Sequence, residues 1–173
     1  MAAGLFVVEV VTPEQSLVSS DARSVVLRTS VGWMTVLDGH TPLIGDVVPC
    51  EVRVEQEDGS VIHLAVHGGF FEVDTSPGAA QRGDDGDGPS SGRSTKVTLL
   101  AGVAERAEDI DVERAERAKE VAEALLSELA GGARRAQSDT DSSAQSEDLE
   151  VVAAQDALGR AELRLSVARA TVS

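Results

Sequence analysis

The chain has 173 residues, enough for one ordinary domain or for a compact domain with a smaller one attached. Fifteen basic residues against thirty acidic ones leave a net charge of −15, which repels a phosphate backbone over most of the surface and argues against nucleic acid as a partner. Cys50 is the only cysteine, so an internal disulfide and a cysteine-rich zinc site are both excluded.

The opening MAAGLFVVEVV lacks a basic n-region and reaches Glu9 too early for a secretory signal. No apolar run approaches membrane-spanning length, so membrane association is expected only through a larger complex. LFVVEVV (5–11), SVVLRT (24–29) and GWMTVL (32–37) read as short Val-rich strands. PCEVRVEQEDGSVIHLAVHGG is the clearest hairpin. Cys50, Val52 and Val54 alternate with Glu51, Arg53 and Glu55, Asp58-Gly59 turns the chain, and Ile62, Leu64 and Val66 alternate again. FFEVD (70–74) and KVTLLAG (96–102) complete the set, and many short strands at this spacing predict a flattened β-sandwich or barrel over residues 1–104. Residues 75–95, TSPGAAQRGDDGDGPSSGRST, carry no large apolar side chain and read as a flexible insertion at a hairpin tip.

After Gly102 the period changes, and residues 105–173 read as a helical hairpin domain. Ala115, Ala118, Ala122, Leu125 and Leu129 recur in steps of three and four, with Asp111 placed to cap the start and Gly131-Gly132 to end the helix. The polar stretch 131–148 reads as a loop. Val151, Ala154, Leu158, Ala161, Leu165, Ala168 and Val172 then mark a second helix antiparallel to the first, giving an α+β chain, mainly β in its first part. At about 0.8 kcal/mol per buried CH₂, a seam built largely of alanine holds two helices weakly, so the hairpin is expected to open.

Most candidate chemistry fails on spacing. His63 and His67 fall on a strand, where four residues at ~3.4 Å each keep two imidazoles too far apart for one metal ion, and they read as solvent-side residues. His40 with Asp38 has no nucleophile, since Cys50 takes an inward strand position. GPSSGRST has the wrong glycine spacing and Arg93 in place of the lysine of a phosphate loop, while Pro89 spoils DDGDG as a calcium loop. Neither a catalytic group nor a metal site is expected, which leaves an interaction protein.

Four stretches in order, EVVTPEQSLVSSDARSVV, VLDGHTPLI, VHGGFFEV and KVTLLAGVAERAEDIDVERAERAKE, resemble the epsilon subunit family of the bacterial F-type ATP synthase, in an actinobacterial-looking version. The resemblance covers nearly all of residues 5–126. It implies a ten-stranded β-sandwich and a two-helix domain on the central stalk, bound to the gamma subunit and the c-subunit ring and peripheral to the cytoplasmic side of the cell membrane. It also implies no catalysis of its own, a part in proton-driven ATP synthesis, and helices that extend toward the catalytic alpha and beta subunits to hinder ATP hydrolysis. The acidic first part, three bases against eleven acids over residues 1–74 (3 − 11 = −8), suits the basic loops expected of a c ring.

Gly39 and Pro42 shape a rigid turn. The resemblance places that segment at the rotor interface, with Trp33, Met34, Asp38 and His40 as contact candidates; His40 and Pro42 serve equally as turn formers. Trp33, the only tryptophan, stands in the turn preceding the motif, an exposed anchor or a core residue. Where the family often has Glu-Gly-x-Leu-Gly-Ile, this chain has Val31-Gly32-Trp33-Met34-Thr35-Val36. Ile110-Asp111-Val112-Glu113-Arg114-Ala115 matches a family motif linked to a regulatory ATP, with Arg160 and Arg164 one turn apart on the second helix and Glu105 as further candidates. Asp111 is equally an N-cap and Arg114 an ordinary surface residue. No cofactor is required. The alternatives are a purely structural coupling clamp and a stand-alone ATP-sensing protein.

Overall fold

The computed structural model describes residues 4–75, 95–133 and 144–170 and divides the chain into two compact units, residues 1–109 and 110–173. Residues 105–109, expected with the helices, go with the β unit. Its strands are β1 (Phe6–Val11), β2 (Ser16–Thr29), β3 (Gly32–Val36), β4 (Leu43–Val47), β5 (Cys50–Gln56), β6 (Val61–Val66), β7 (Gly69–Asp74), β8 (Lys96–Ala101) and β9 (Ala104–Arg106). The described residues thus form nine strands where the family resemblance implies ten.

The strands hydrogen-bond in the order β4-β7-β8-β1-β2-β5-β6-β9, with β3 attached to β2. Every pairing is antiparallel except β1 with β8. Alternation decides which side chains meet: Phe6, Val8 and Val10 of β1, Val52 and Val54 of β5, Phe71 of β7 and Val97 and Leu99 of β8 all point into one core of the β-sandwich. Each fully buried valine or leucine contributes about 1.5–3 kcal/mol relative to exposure, and their number offsets the shortness of the strands. Cys50 faces this core, and burial pushes its thiol above the ordinary range.

Two glycines in β4 and β7 are required by contact. A Cβ at Gly45 would lie 2.6 Å from the Phe71 ring, and one at Gly69 would run into the Leu100 carbonyl of β8. The hairpin read over residues 50–66 is present, with Gly59 at φ 85° and Gln56 donating its N–H to the Ser60 carbonyl at 2.8 Å. Asp74 pairs with Lys96, so the expected insertion joins two neighbouring strands. Residues 76–94 of it lie outside the described residues, and Thr95 is fully buried at the start of β8 and no part of a solvated tip.

Unit two contains α1 (Val112–Ala133) and α2 (Ala144–Ala170), packed against each other. Asp111 caps α1: its Oδ1 accepts the Arg114 N–H at 2.9 Å. Gly131-Gly132 does not end α1, which continues to Ala133, and α2 begins at Ala144, so the expected 131–148 loop is helical at both margins. Its middle, 134–143, lies outside the described residues. The seam on α1 keeps Ala115, Ala122 and half-buried Leu129 of the expected stripe and shifts by one residue at its other two positions. Ala115 and Ala122 are buried, but Ala118 and Leu125 are exposed, and Lys119 and Leu126 take the half-buried positions. Lys119 lays its stem along the seam and reaches Glu162 of α2 at 3.4 Å. On α2, Ala154, Ala161 and Leu165 are buried as expected, and Val167 is buried as well. Val172 of the expected stripe lies outside the described residues.

Candidate interaction surface

The Leu37–Pro42 turn is built from backbone outward. His40 donates its N–H to the Leu37 carbonyl at 3.1 Å, and Gly39 sits at φ 76°, where a side chain would be strained. Gly39 also donates its N–H to the Thr95 hydroxyl at 3.0 Å, and Val7 donates to the Thr95 carbonyl at 3.2 Å, so a buried threonine pins this turn to the start of β1 and β8. The His40 Nδ1 lies 2.8 Å from the Thr41 carbonyl, which fixes the tautomer with hydrogen on Nδ1. Asp38 and Pro42 are exposed, and the Asp38 carboxylate lies against the backbone of Gly4.

Trp33 is on strand β3 opposite Arg28, not in a turn, and is 60% exposed. Its neighbour Met34 points the other way and packs, partly buried, against the core. Pleating permits only one of two consecutive strand residues to face outward.

A larger surface lies on the outer face of β4, β7 and β8. Phe70 is directly opposite Leu100 on one side and Asp46 on the other, and Ile44 is the diagonal neighbour. Ile44, Phe70 and Leu100 are 72, 65 and 56% exposed. Asp46, Glu72 and Asp74 stand among them on the same face, and Lys96 pairs with Glu9 at 2.9 Å farther along it. An exposed apolar group rimmed by carboxylates marks an interaction surface. FFEVD carried the signal: once Phe71 and Val73 face the core, Phe70 must face outward.

The remaining candidates divide between the units. Glu105 is on β9, opposite Ala65, in the β unit. Asp111, Arg114, Arg160 and Arg164 are in the helical unit, where the Asp111 carboxylate is engaged in capping, Arg114 and Arg160 are exposed and Arg164 is half-buried. His63 is on β6 as expected, but its Nδ1 lies 2.6 Å from Glu51 and its side chain is largely covered, and His67 is half-buried rather than solvent-side. Among the described residues no group of three or more His, Cys, Asp or Glu is placed to hold a metal ion.

Comparison with known proteins bears on both units. A family profile described as the beta-sandwich domain of the ATP synthase delta/epsilon chain matches residues 5–76, and one described as its long alpha-helix domain matches residues 108–169. The chain belongs to the ATP synthase epsilon family. The ATP synthase epsilon chain of Brevibacillus brevis is 40% identical over 121 residues, 70% of this chain and 77% of that one. The epsilon chain of Delftia acidovorans is 35% identical over 148 residues, 86% of this chain and 88% of its own length. A chain in the cryo-EM structure of the Euglena gracilis mitochondrial ATP synthase, covering OSCP, F1 and c-ring, has the same fold, with a TM-score of 0.62 and 20% identity over 100% of this chain and 83% of that one. No described helix is long and apolar enough to cross a membrane.

Proposed function

We propose that the chain acts on the rotor of a proton-translocating F-type ATP synthase, its β unit joining gamma to the c-subunit ring and its helical unit restraining ATP hydrolysis. The observation that carries the first half is the outer face of β4, β7 and β8: Ile44, Phe70 and Leu100 gain by burial against gamma, and the surrounding carboxylates meet positive charge. The turn at Asp38, Gly39, His40 and Pro42 and the side chain of Trp33 form the remaining rotor contacts. Membrane attachment, on the cytoplasmic side, is through the complex alone.

The second half rests on the seam. Among the described side chains, helix α1 buries only two alanines, Ala115 and Ala122, and the Lys119–Glu162 bridge is exposed, where such a pair is worth about 0.2–1 kcal/mol. A hairpin held this weakly opens readily, and the opened helices reach toward the alpha and beta subunits and hinder hydrolysis. A regulatory ATP held by Arg114, Arg160 and Arg164 favours the closed form.

A single crosslink tests this. With Lys119→Cys and Glu162→Cys joined by a short bismaleimide, hydrolysis by the assembled enzyme is expected to rise while synthesis persists; buried Cys50, its thiol held neutral, does not compete. Millimolar ATP is expected to raise the crosslinking yield. Unchanged hydrolysis makes the subunit a coupling clamp, and an unchanged yield removes the nucleotide.

A further inference from the structure

The β2–β3 hairpin closes through a two-residue loop, Ser30-Val31, because Thr29 pairs with Gly32. Such loops are ordinarily held by Asn-Gly, Asp-Gly or Gly-X, whose backbones accept the conformations the turn demands. Ser30-Val31 is none of these, and a β-branched residue is a poor choice there. The loop is held from outside instead. Asp46 of β4, 16 residues farther along the chain, accepts the Ser30 N–H with Oδ2 and the Ser30 hydroxyl with Oδ1, both at 3.0 Å. The Thr29 hydroxyl accepts the Val31 N–H at 3.3 Å and donates to the Gly32 carbonyl at 3.1 Å, and the Arg28 carbonyl accepts the Val48 N–H at 3.0 Å.

We propose that Asp46 is a positioning residue that fixes the β2–β3 turn, so that Val31, 96% exposed, and Trp33 meet an apolar partner surface on the rotor as a preformed knob. The partner in this proposal rests on the rotor reading; the knob rests on the Asp46 bonds alone. Asp46 is also the cross-strand neighbour of Phe70, so one carboxylate ties the knob to the margin of the outer apolar face. A side chain already fixed before docking loses less freedom on binding, which gives the carboxylate a role in affinity without itself touching the partner.

The test compares Asp46→Ala with Asp46→Asn in the full chain. The amide keeps an acceptor for the Ser30 N–H, and the serine hydroxyl can reverse its role, so the asparagine variant is the conservative control. In the alanine variant the Ser30 amide is expected to exchange about tenfold faster or more, because hydrogen bonds to a charged acceptor are lost. The fluorescence anisotropy of Trp33, the only tryptophan, is expected to fall, the urea midpoint to move little, and affinity for the gamma and c-ring assembly to drop about fivefold or more. The asparagine variant is expected to stay near wild type on all four. Unchanged Ser30 exchange overturns the proposal, as does faster exchange with undiminished assembly, or a collapse of the urea midpoint that makes Asp46 a general stability residue. Should the wild-type chain itself fail to assemble, the rotor reading falls, and exchange and anisotropy still decide whether Asp46 fixes the turn.

Discussion

Phe70→Glu is expected to leave the β unit folded and to weaken its association with gamma by about 2 kcal/mol or more, roughly thirtyfold. The side chain lies on the outer face and the core loses nothing, so circular dichroism and the urea midpoint stay close to wild type. Association suffers because a carboxylate then stands where apolar surface is to be buried, beside Leu100 and next to Asp46 and Glu72. Leu100→Glu and Ile44→Glu are expected to act in the same direction. Val61→Glu, an exposed apolar position at the start of β6, serves as the control and is expected to change nothing. Gel filtration of the variant with purified gamma reads the effect, and equal loss for Phe70 and Val61 means that added charge rather than this face is responsible.

Deleting residues 110–173 is expected to preserve assembly and proton coupling and to raise ATP hydrolysis in membrane vesicles about fivefold or more, the lower end of ordinary coupling free energies. The cut follows the boundary between the compact units, so no strand of the β unit is lost. Loss of assembly would mean that the helical unit carries part of the rotor contact. Normal assembly with unchanged hydrolysis would leave the subunit a passive clamp.

Several strands were readable because one physical signal governs them. The alternation through residues 50–66 became β5 and β6 in register, and the Val-rich runs at 5–11 and 96–102 became β1 and β8. Where the signal is mixed, sequence reading fails. The first half of β2, with Ser19, Ser20 and Asp21, lacks the alternation of its second half, and pairing with β1 alone makes it a strand. Strand β4 escaped notice because Leu43 and Ile44 are both exposed and Gly45 has no side chain, and β9 is only three residues on an edge.

The α1 seam shows a subtler failure. Apolar residues stand at adjacent positions, including Leu125 and Leu126, so two stripes that share Ala115, Ala122 and Leu129 and differ by one residue between them satisfy the same 3-4 spacing. Packing selects the one that includes Lys119, whose long stem substitutes for an apolar residue. The glycines at 131 and 132 remain in the helix, where each costs about 1 kcal/mol relative to alanine.

At the surface, the sequence motif led to the Asp38–Pro42 turn and to Trp33, and both are exposed in part. It did not lead to Asp46 or Thr95, because their bonds to Ser30 and Gly39 join residues far apart in the chain. Nor did it lead to the apolar face, although Phe70-Phe71 announced one outward aromatic. Long-range pairing, which no local pattern encodes, brings Phe70 beside Leu100.

The most direct test of the rotor assignment is to tag this chain in its native host, solubilise the membranes gently and identify the co-purifying proteins by mass spectrometry. Membership on the rotor predicts recovery of gamma, the c ring and the catalytic alpha and beta subunits together. Recovery of none of them, with the synthase intact elsewhere in the same gradient, would contradict it and leave a stand-alone nucleotide-sensing protein as the reading to pursue.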